Sequence, residues 1–508
     1  MVAHVRTVSF QGIAAVPVDV QVQVASGLPA FTLVGLPDKA VAESRERVRA
    51  ALTASGLSLP PKRITVNLAP ADLPKEGSHF DLPIALGLMA AIGAIPADAL
   101  DHYTVLGELA LDGRLAHVVG ALPAAMAANA EDRGLICPAD CGAEAAWADP
   151  DMTILSPESL IALANHFKGS QVLSRPRASI RNEASQIVDL KDIKGQELAK
   201  RALEVTAAGG HNMLMVGPPG SGKSMLASRL PTILPPLTPS ELLDVSMIHS
   251  IAGLLPQGQL SAARPFRAPH HSASMAAMVG GGLRAKPGEV ALSHNGILFL
   301  DELPEFSPQV LDSLRQPIES GEAVISRANH RVTYPARFQL IAAMNPCRCG
   351  RAGEPGYSCK RGPRCVSDYQ ARISGPLIDR VDIRIEVPAV SASDLMLPPA
   401  REGSAEVANR VMQARFLQKE RYHALGLGPH MVNAQCPPST IEEVCQPKGD
   451  ARRLLAQAAD SMALTARGYH RILKVARTLA DLAGKAQPGK AEMAEALSYR
   501  LAATSLVM

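Results

Sequence analysis

Short apolar runs closed by glycine or proline alternate with helically spaced apolar stripes through the first two-thirds of the chain. Ile13 to Val24 and Ile64 to Leu68 read as strands, and Ala40 to Ser55 and Leu82 to Ile92 as helices. From Gly169 to Ser185 the periodicity is lost in polar sequence such as Ser174-Arg175-Pro176-Arg177-Ala178-Ser179, which predicts a linker. Apolar runs then return at Asn212 to Val216, Gly296 to Leu300, Phe338 to Met344 and Ile383 to Val387, the pattern of buried parallel strands. Beyond 391 the pattern is helical. Ser461 to Ala483 carries Leu464, Ile472, Val475, Leu479 and Leu482 as one stripe. The expectation is an α/β chain with a first domain over 1–168, a linker over 169–188, a parallel-sheet core over 189–390 and a helical region over 391–508.

The strand ending at Val216 runs into Gly217-Pro218-Pro219-Gly220-Ser221-Gly222-Lys223-Ser224. This fits the phosphate-loop pattern G-x-x-x-x-G-K-[ST] at every fixed position. Glycines let backbone N–H groups close around phosphate oxygens, and the helix N-terminus that follows adds a favourable dipole. Lys223 is expected to reach the β- and γ-phosphates and Ser224 to bind Mg²⁺. The helix is predicted over Lys223 to Leu230, ended by Pro231. A second buried strand delivers Asp301 and Glu302 to its C-terminal edge, where open α/β sheets bind ligands. Asp301 would hold the Mg²⁺ of bound ATP and Glu302 would polarise the attacking water.

Composition narrows what such a site can serve. Net charge is only +3, so contacts to nucleic acid must come from local patches. Aromatic residues make up 3%, which argues against base stacking as the main mode of binding. No secretory signal is recognisable at the start. The most apolar run, Leu82 to Ala97, contains two prolines and falls short of the ~20 residues of a membrane helix. The expectation is a cytoplasmic protein without a membrane partner.

Cys347, Cys349, Cys359 and Cys365 form a compact cluster and are candidate zinc ligands. Their spacing is not that of a zinc ribbon, and free thiols remain the alternative. Arg348, Arg351, Lys360, Arg361 and Arg364 lie between or beside them, a local excess suited to phosphate. Glu322 to Arg327 and Arg331 to Pro335 flank Ala328-Asn329-His330 and read as a β-hairpin just before the Phe338–Met344 strand. Arg327, His330 and Arg331 are candidate DNA contacts; a solvated turn with incidental charge is the alternative.

Two resemblances extend this reading. Pro74-Lys75-Glu76-Gly77-Ser78-His79, with Gly107-Glu108-Leu109 and Gly113-Arg114, resembles the proteolytic domain of Lon-type proteases, a serine–lysine enzyme. Here His79 stands where the serine belongs, Gly120 to Ala125 offers no lysine, and Ser78 lies one position off. The fold is expected without its dyad. Arg264-Pro265-Phe266-Arg267-Ala268-Pro269-His270-His271, Gly280-Gly281-Gly282, Pro287-Gly288-Glu289, Leu300 to Phe306 and Leu314 to Gly321 resemble the magnesium-chelatase-like AAA+ ATPases, in their ComM/YifB branch.

That resemblance implies a P-loop AAA+ core with a helical lid, and further roles. Asp192-Ile193-Lys194-Gly195-Gln196 would lie against adenine. Asn345 would act as a sensor beside the γ-phosphate, with a plain Asn-Pro turn as the alternative. Arg380, or less favourably Arg372, would reach a neighbouring subunit's phosphate, and Arg467 would enter the cleft from the lid; surface ion pairing is the alternative for a single arginine. The branch implies an ATP-hydrolysing ring, hexameric in expectation, acting on single-stranded or branched DNA as a branch-migration motor in natural transformation. Two other functions compete: a chelatase motor subunit, disfavoured because that subunit lacks a Lon-like front domain, and a regulatory ATPase acting as a protein switch.

Overall fold

In the computed structural model the described residues are 2–181, 188–282, 285–326, 331–350, 352, 364–396, 398, 400–428, 431–461 and 464–501. The first region is built on a long hairpin. β1 (Val2–Gln11) and β2 (Ala14–Ala25) pair antiparallel from Val2 opposite Gln23 to Gln11 opposite Ala14. Gly12 turns the chain at φ +66, where a side chain would be strained. β3 (Ala30–Val34) and β4 (Arg63–Ala69) extend the sheet on one side and β5 (Tyr103–Val105) on the other. β6 (Glu108–Leu109) and β7 (Leu115–Ala116) form a separate small hairpin. β8 (Gly134–Ile136) and β9 (Ile154–Leu155) complete the order β3-β4-β2-β1-β5-β8-β9.

Helices Lys39–Ala54 and Asp81–Ala91 match the predicted pair closely. The second buries every residue from Asp81 to Ala90, which is why its sequence is apolar all round rather than striped.

The second sheet is wholly parallel. β10 (Met213–Val216) lies between two partners, so all four of its residues are buried. β11 (Phe266–Arg267) forms one edge; β12 (Gly280–Gly281) and β13 (Lys286–Pro287) make a small hairpin outside the sheet. β14 (Ile297–Leu300) is again fully buried. β15 (Glu322–Ser326) and β16 (Arg331–Pro335) pair as the predicted antiparallel hairpin, leading into β17 (Gln339–Met344). β18 (Ile383–Glu386) closes the order β11-β14-β17-β10-β18. Pro231 does not end the helix after the phosphate loop: that helix runs Lys223–Ile233 with Pro231 inside it. Proline removes its own N–H and crowds the carbonyl four residues back, and in the last turn of a helix both costs are confined to its end.

Residues 401–501 are helical, with no strand among the described ones. Ile472, Val475 and Leu479 of helix Ala466–Leu482 are buried, with Leu464 and Leu482 packed against the same cluster. That cluster also contains Met213, Met215, Leu226 and Ile341, so the helical region and the sheet share one core. Asp481 sits inside it. Its carboxylate accepts from Arg421, from Arg477 at 2.9 Å and from Asn433 at 2.9 Å, and Arg477 is itself 1% exposed. Asp481→Ala would leave two guanidinium groups without their shared anion. It should destabilise the helical region by about 3–5 kcal/mol, read as a lower unfolding midpoint in chemical denaturation.

Candidate active site

Three strands deliver the site to one edge of the parallel sheet. β10 runs into Gly217, where a Cβ would stand 2.1 Å from the Val387 carbonyl oxygen, so only glycine fits. Gly220 and Gly222 take left-handed backbone at φ +77 and +88, and Gly222 caps helix Lys223–Ile233. Pro218, Pro219 and Ser221 complete the loop.

Lys223 is 7% exposed and folds back over this loop. Its Nζ donates to Gly217 O at 2.7 Å and Pro218 O at 2.8 Å, and lies 3.4 Å from both Ser221 Oγ and Asn345 Oδ1. Burial pulls its ammonium below the ordinary lysine range, while Asp301 and Glu302 oppose that. A buried ammonium satisfied by loop carbonyls is a donor that phosphate oxygens could take over.

Ser224 Oγ donates to Asp301 Oδ2 at 2.6 Å, and Asp301 Oδ1 accepts from Glu302 N at 2.9 Å. A hydroxyl and a carboxylate meeting at a phosphate loop are the oxygen pair that Mg²⁺ takes. Glu302 adopts left-handed backbone at φ 52, ψ 47, and its carboxylate lies 3.6 Å from His271 Nδ1. His271 belongs to a motif noted in the sequence; only the fold shows what it touches. Asn345, at the end of β17, faces Lys223, so the structure gathers Lys223, Ser224, Asp301, Glu302 and Asn345 at one edge. On the other side, Gln196 donates to Pro388 O at 2.8 Å beside a 260 Å³ cavity that Lys194 also lines.

The arginines fall elsewhere. Arg380 is 6% exposed, bonded to Pro376 O and paired with Glu319. Arg372 pairs with Glu305 at 3.0 Å. Arg467 is exposed in the first turn of helix Ala466–Leu482, while Arg471, on the next turn, pairs with Asp382.

Of the candidate DNA contacts, Arg331 opens β16 and is exposed; Arg327 and His330 lie outside the described residues. Arg331 lines a 330 Å³ cavity between the hairpin and the first region, together with Lys286, Ser78, His79, Glu108 and His117. Ser78 Oγ donates to Glu108, His79 is bonded to Val8 O, and the buried Lys75 Nζ is turned to Pro70 O. Cys347, Cys349 and Cys365 come together with their sulfurs within 4.8 Å of one another, and Cys359 lies outside the described residues. No helix among the described residues is long and apolar enough to cross a membrane.

Comparison with known proteins decides the family. The model described as magnesium chelatase, subunit ChlI, matches residues 189–395, and that of the ChlI C-terminal part matches 401–500. A third, described as subunit ChlI of Mg-chelatase, matches 20–141. The competence protein ComM of Haemophilus influenzae is 44% identical over 499 residues, covering 96% of this chain and 95% of that protein. The uncharacterized protein YifB of Salmonella typhimurium is likewise 44% identical, covering 98% and 97%. This chain belongs to the ComM/YifB family of magnesium-chelatase-like proteins. By contrast, the magnesium-chelatase 38 kDa subunit of Rhodobacter capsulatus is 30% identical over 171 residues, 30% of this chain and 49% of that subunit.

The mixed α/β core, parallel sheet and helical C-terminal region fit a chelatase-like AAA+ fold, and ComM/YifB membership implies use of a nucleotide and Mg²⁺. The donor set fits both groups. Lys223 and the loop amides would hold phosphates, Ser224 and Asp301 the ion, and Glu302 would orient water. Lys223→Ala should therefore weaken ATP binding itself. Glu302→Gln should bind ATP normally but lose about 10²-fold or more in turnover, checked by fluorescent-nucleotide titration beside phosphate release.

Proposed function

We propose that this chain is an ATP-hydrolysing motor that assembles into a ring, six subunits in the expected form, and works in the cytoplasm on single-stranded or branched DNA. Its task would be branch migration as incoming strands recombine during natural transformation. One observation carries the reading. The β15–β16 hairpin leads through Ala336–Phe338 into β17, and the end of β17 sets Asn345 3.4 Å from Lys223. A change at the γ-phosphate would thus have a short covalent path to a hairpin that carries Arg331, with Arg327 and His330 in the sequence between its two strands. The competence name of the Haemophilus influenzae relative supports the biological setting.

The first region is proposed as a Lon-protease-like domain over 1–168 without a catalytic dyad. Ser78 donates its hydroxyl hydrogen bond to the Glu108 carboxylate and Lys75 is committed to a backbone carbonyl, neither arrangement being a serine–lysine pair. Zinc belongs to the same proposal, as the ion that Cys347, Cys349 and Cys365, with Cys359, would hold.

ATPase activity with and without single-stranded and four-way-junction DNA tests the motor. Arg327→Ala with Arg331→Ala should keep basal ATPase but abolish DNA stimulation and branch migration. The salt dependence of strand binding should flatten by roughly 0.7 in slope for each phosphate that the variant no longer neutralises. Wild-type protein that neither binds nor responds to DNA would overturn the motor in favour of a protein switch.

Arg380 is the proposed arginine that completes a neighbour's site, which requires it to leave Glu319. Mixing Arg380→Ala with Lys223→Ala protein should then restore part of the ATPase activity that each lacks. A monomer at full activity, detected by light scattering alongside phosphate release, would defeat the shared site.

A further inference from the structure

The turn that follows β17 lies directly on the phosphate loop. Gly350 N donates to Cys347 O at 2.9 Å, closing residues 347–350 into a tight turn. Gly350 is buried at φ +86, and a Cβ there would stand 2.7 and 2.8 Å from Cγ and Cδ of Pro219. The same stretch touches the loop twice more. Gly217 N donates to Met344 O at 3.2 Å, and Lys223 Nζ lies 3.4 Å from Asn345 Oδ1. Any shift of the turn is therefore felt at both ends of the loop.

Under this turn lies sulfur. The Sγ atoms of Cys347, Cys349 and Cys365 fall within 4.8 Å of one another, and Cys347 and Cys365 are buried. Thiolates at about 2.3 Å from a tetrahedral zinc sit about 3.8 Å apart, so Cys347 and Cys349, whose sulfurs stand 2.9 Å apart, would spread by about an ångström to take an ion between them and Cys365. Cys365 is the second residue of helix Arg364–Gln370, and Gln370 Nε2 donates to Pro346 O at 3.4 Å. Tyr369, one turn beyond Cys365 and also buried, feels the charges of Glu305 and Glu302; burial first, then those carboxylates, push its phenol up to about 12. A metal here would tie the turn on the phosphate loop to helix Arg364–Gln370, just beyond which Arg372 pairs with Glu305 at 3.0 Å.

We propose that Cys347, Cys349 and Cys365 hold a thiolate-bound ion of the zinc class that braces the phosphate loop through Gly350 and Pro219, so that nucleotide affinity depends on the metal. This inference rests on the zinc reading above. Linkage makes the coupling reciprocal: whatever the metal adds to nucleotide affinity, the nucleotide adds to metal affinity.

The test uses the full chain purified without chelator. Metal content is measured first. Zinc is then withdrawn with a thiol-specific mercurial followed by thiol reductant, and binding of a non-hydrolysable ATP analogue with Mg²⁺ is titrated before and after. Circular dichroism checks that the metal-free protein stays folded. Expected are about one zinc per chain, a loss of analogue affinity of roughly 5- to 150-fold on its removal, and slowing of metal release by saturating analogue on wild-type protein. Gly350→Ala keeps every thiol while crowding Pro219, and should retain zinc but lose analogue affinity. Zinc bound at full occupancy, with analogue affinity and metal release each indifferent to the other ligand, would overturn the brace and leave the zinc reading standing. Protein that takes up no zinc, even when reduced and supplied with it, would end both.

Discussion

β10 is paired on both sides, Val216 standing opposite Met344 on β17 and Glu386 on β18, and the rest of the site depends on that parallel register. All four β10 side chains are buried, on both faces of the sheet, so its register is held by the ladders on either side and by close packing rather than by an apolar–polar alternation. With register fixed, the loops after β10, β14 and β17 must leave at the same edge. Gly217, Asp301 and Asn345, far apart in sequence, are thereby neighbours. The same register brings the Val387 carbonyl against Gly217 and leaves no room for a Cβ. Glycine here answers to sheet packing as much as to phosphate.

What β17 joins to this edge is a packed block rather than a lone hairpin. Tyr334 on β16 donates to Ala285 O at 3.0 Å, beside β13, and a Cβ on Gly280 of β12 would stand 2.6 Å from Ile325 Cδ1 on β15. The two hairpins are therefore packed directly against each other. The block also leans on the first region. A Cβ on Gly12, at the β1–β2 turn, would lie 3.1 Å from Val332 Cγ1 and 3.2 Å from Thr333 O. A second contact joins the regions further out, where the buried Glu144 accepts from Leu122 N and from Ser250 on helix Pro239–Ala252. The first region is thus fastened both to the hairpins and to the body that carries the phosphate loop.

Much of this was legible in the chain, for an identifiable reason. Strands buried on both faces need unbroken apolar runs, so β10, β14 and β17 stand out, and the residues at their ends follow. The predicted helices of the first region lie within one residue of those observed. Other features left no periodic trace. The β12–β13 hairpin pairs only four residues, two of them glycine, and offers no alternation to read. The contact of His271 with Glu302 joins two segments thirty-one positions apart. Cysteine spacing gave a candidate ligand set but could not tell which thiols meet. Pro231 reads as a stop, but the helix carries it inside its last turn.

Arg380 sits in surroundings that its sequence does not reveal, buried and paired with Glu319. Its segment is pinned from two sides. Asp382 accepts from Asn212 N at 2.9 Å at the foot of β10 and pairs with Arg471 on helix Ala466–Leu482, which also reaches Arg380 O at 3.1 Å. Burial opposes ionisation of Asp382, but Arg471 and the adjacent His211 outweigh it and hold the carboxyl well below the usual range. The anion is therefore permanent at neutral pH, and rotation of that helix must carry the Arg380 segment with it or break a buried pair. The guanidinium itself is held less completely. Two nitrogens are bonded, to Pro376 and Glu319, while Nε is buried with no partner among the described residues. An unsatisfied buried donor costs on the order of 1–3 kcal/mol, which lowers the barrier to leaving this resting place. Glu319, whose side chain is 54% exposed, would pass back into solvent as Arg380 withdrew, so release leaves no buried charge behind. A strongly anchored backbone under a weakly satisfied side chain is the combination that lets an arginine swing to a new anion without unfolding its own loop.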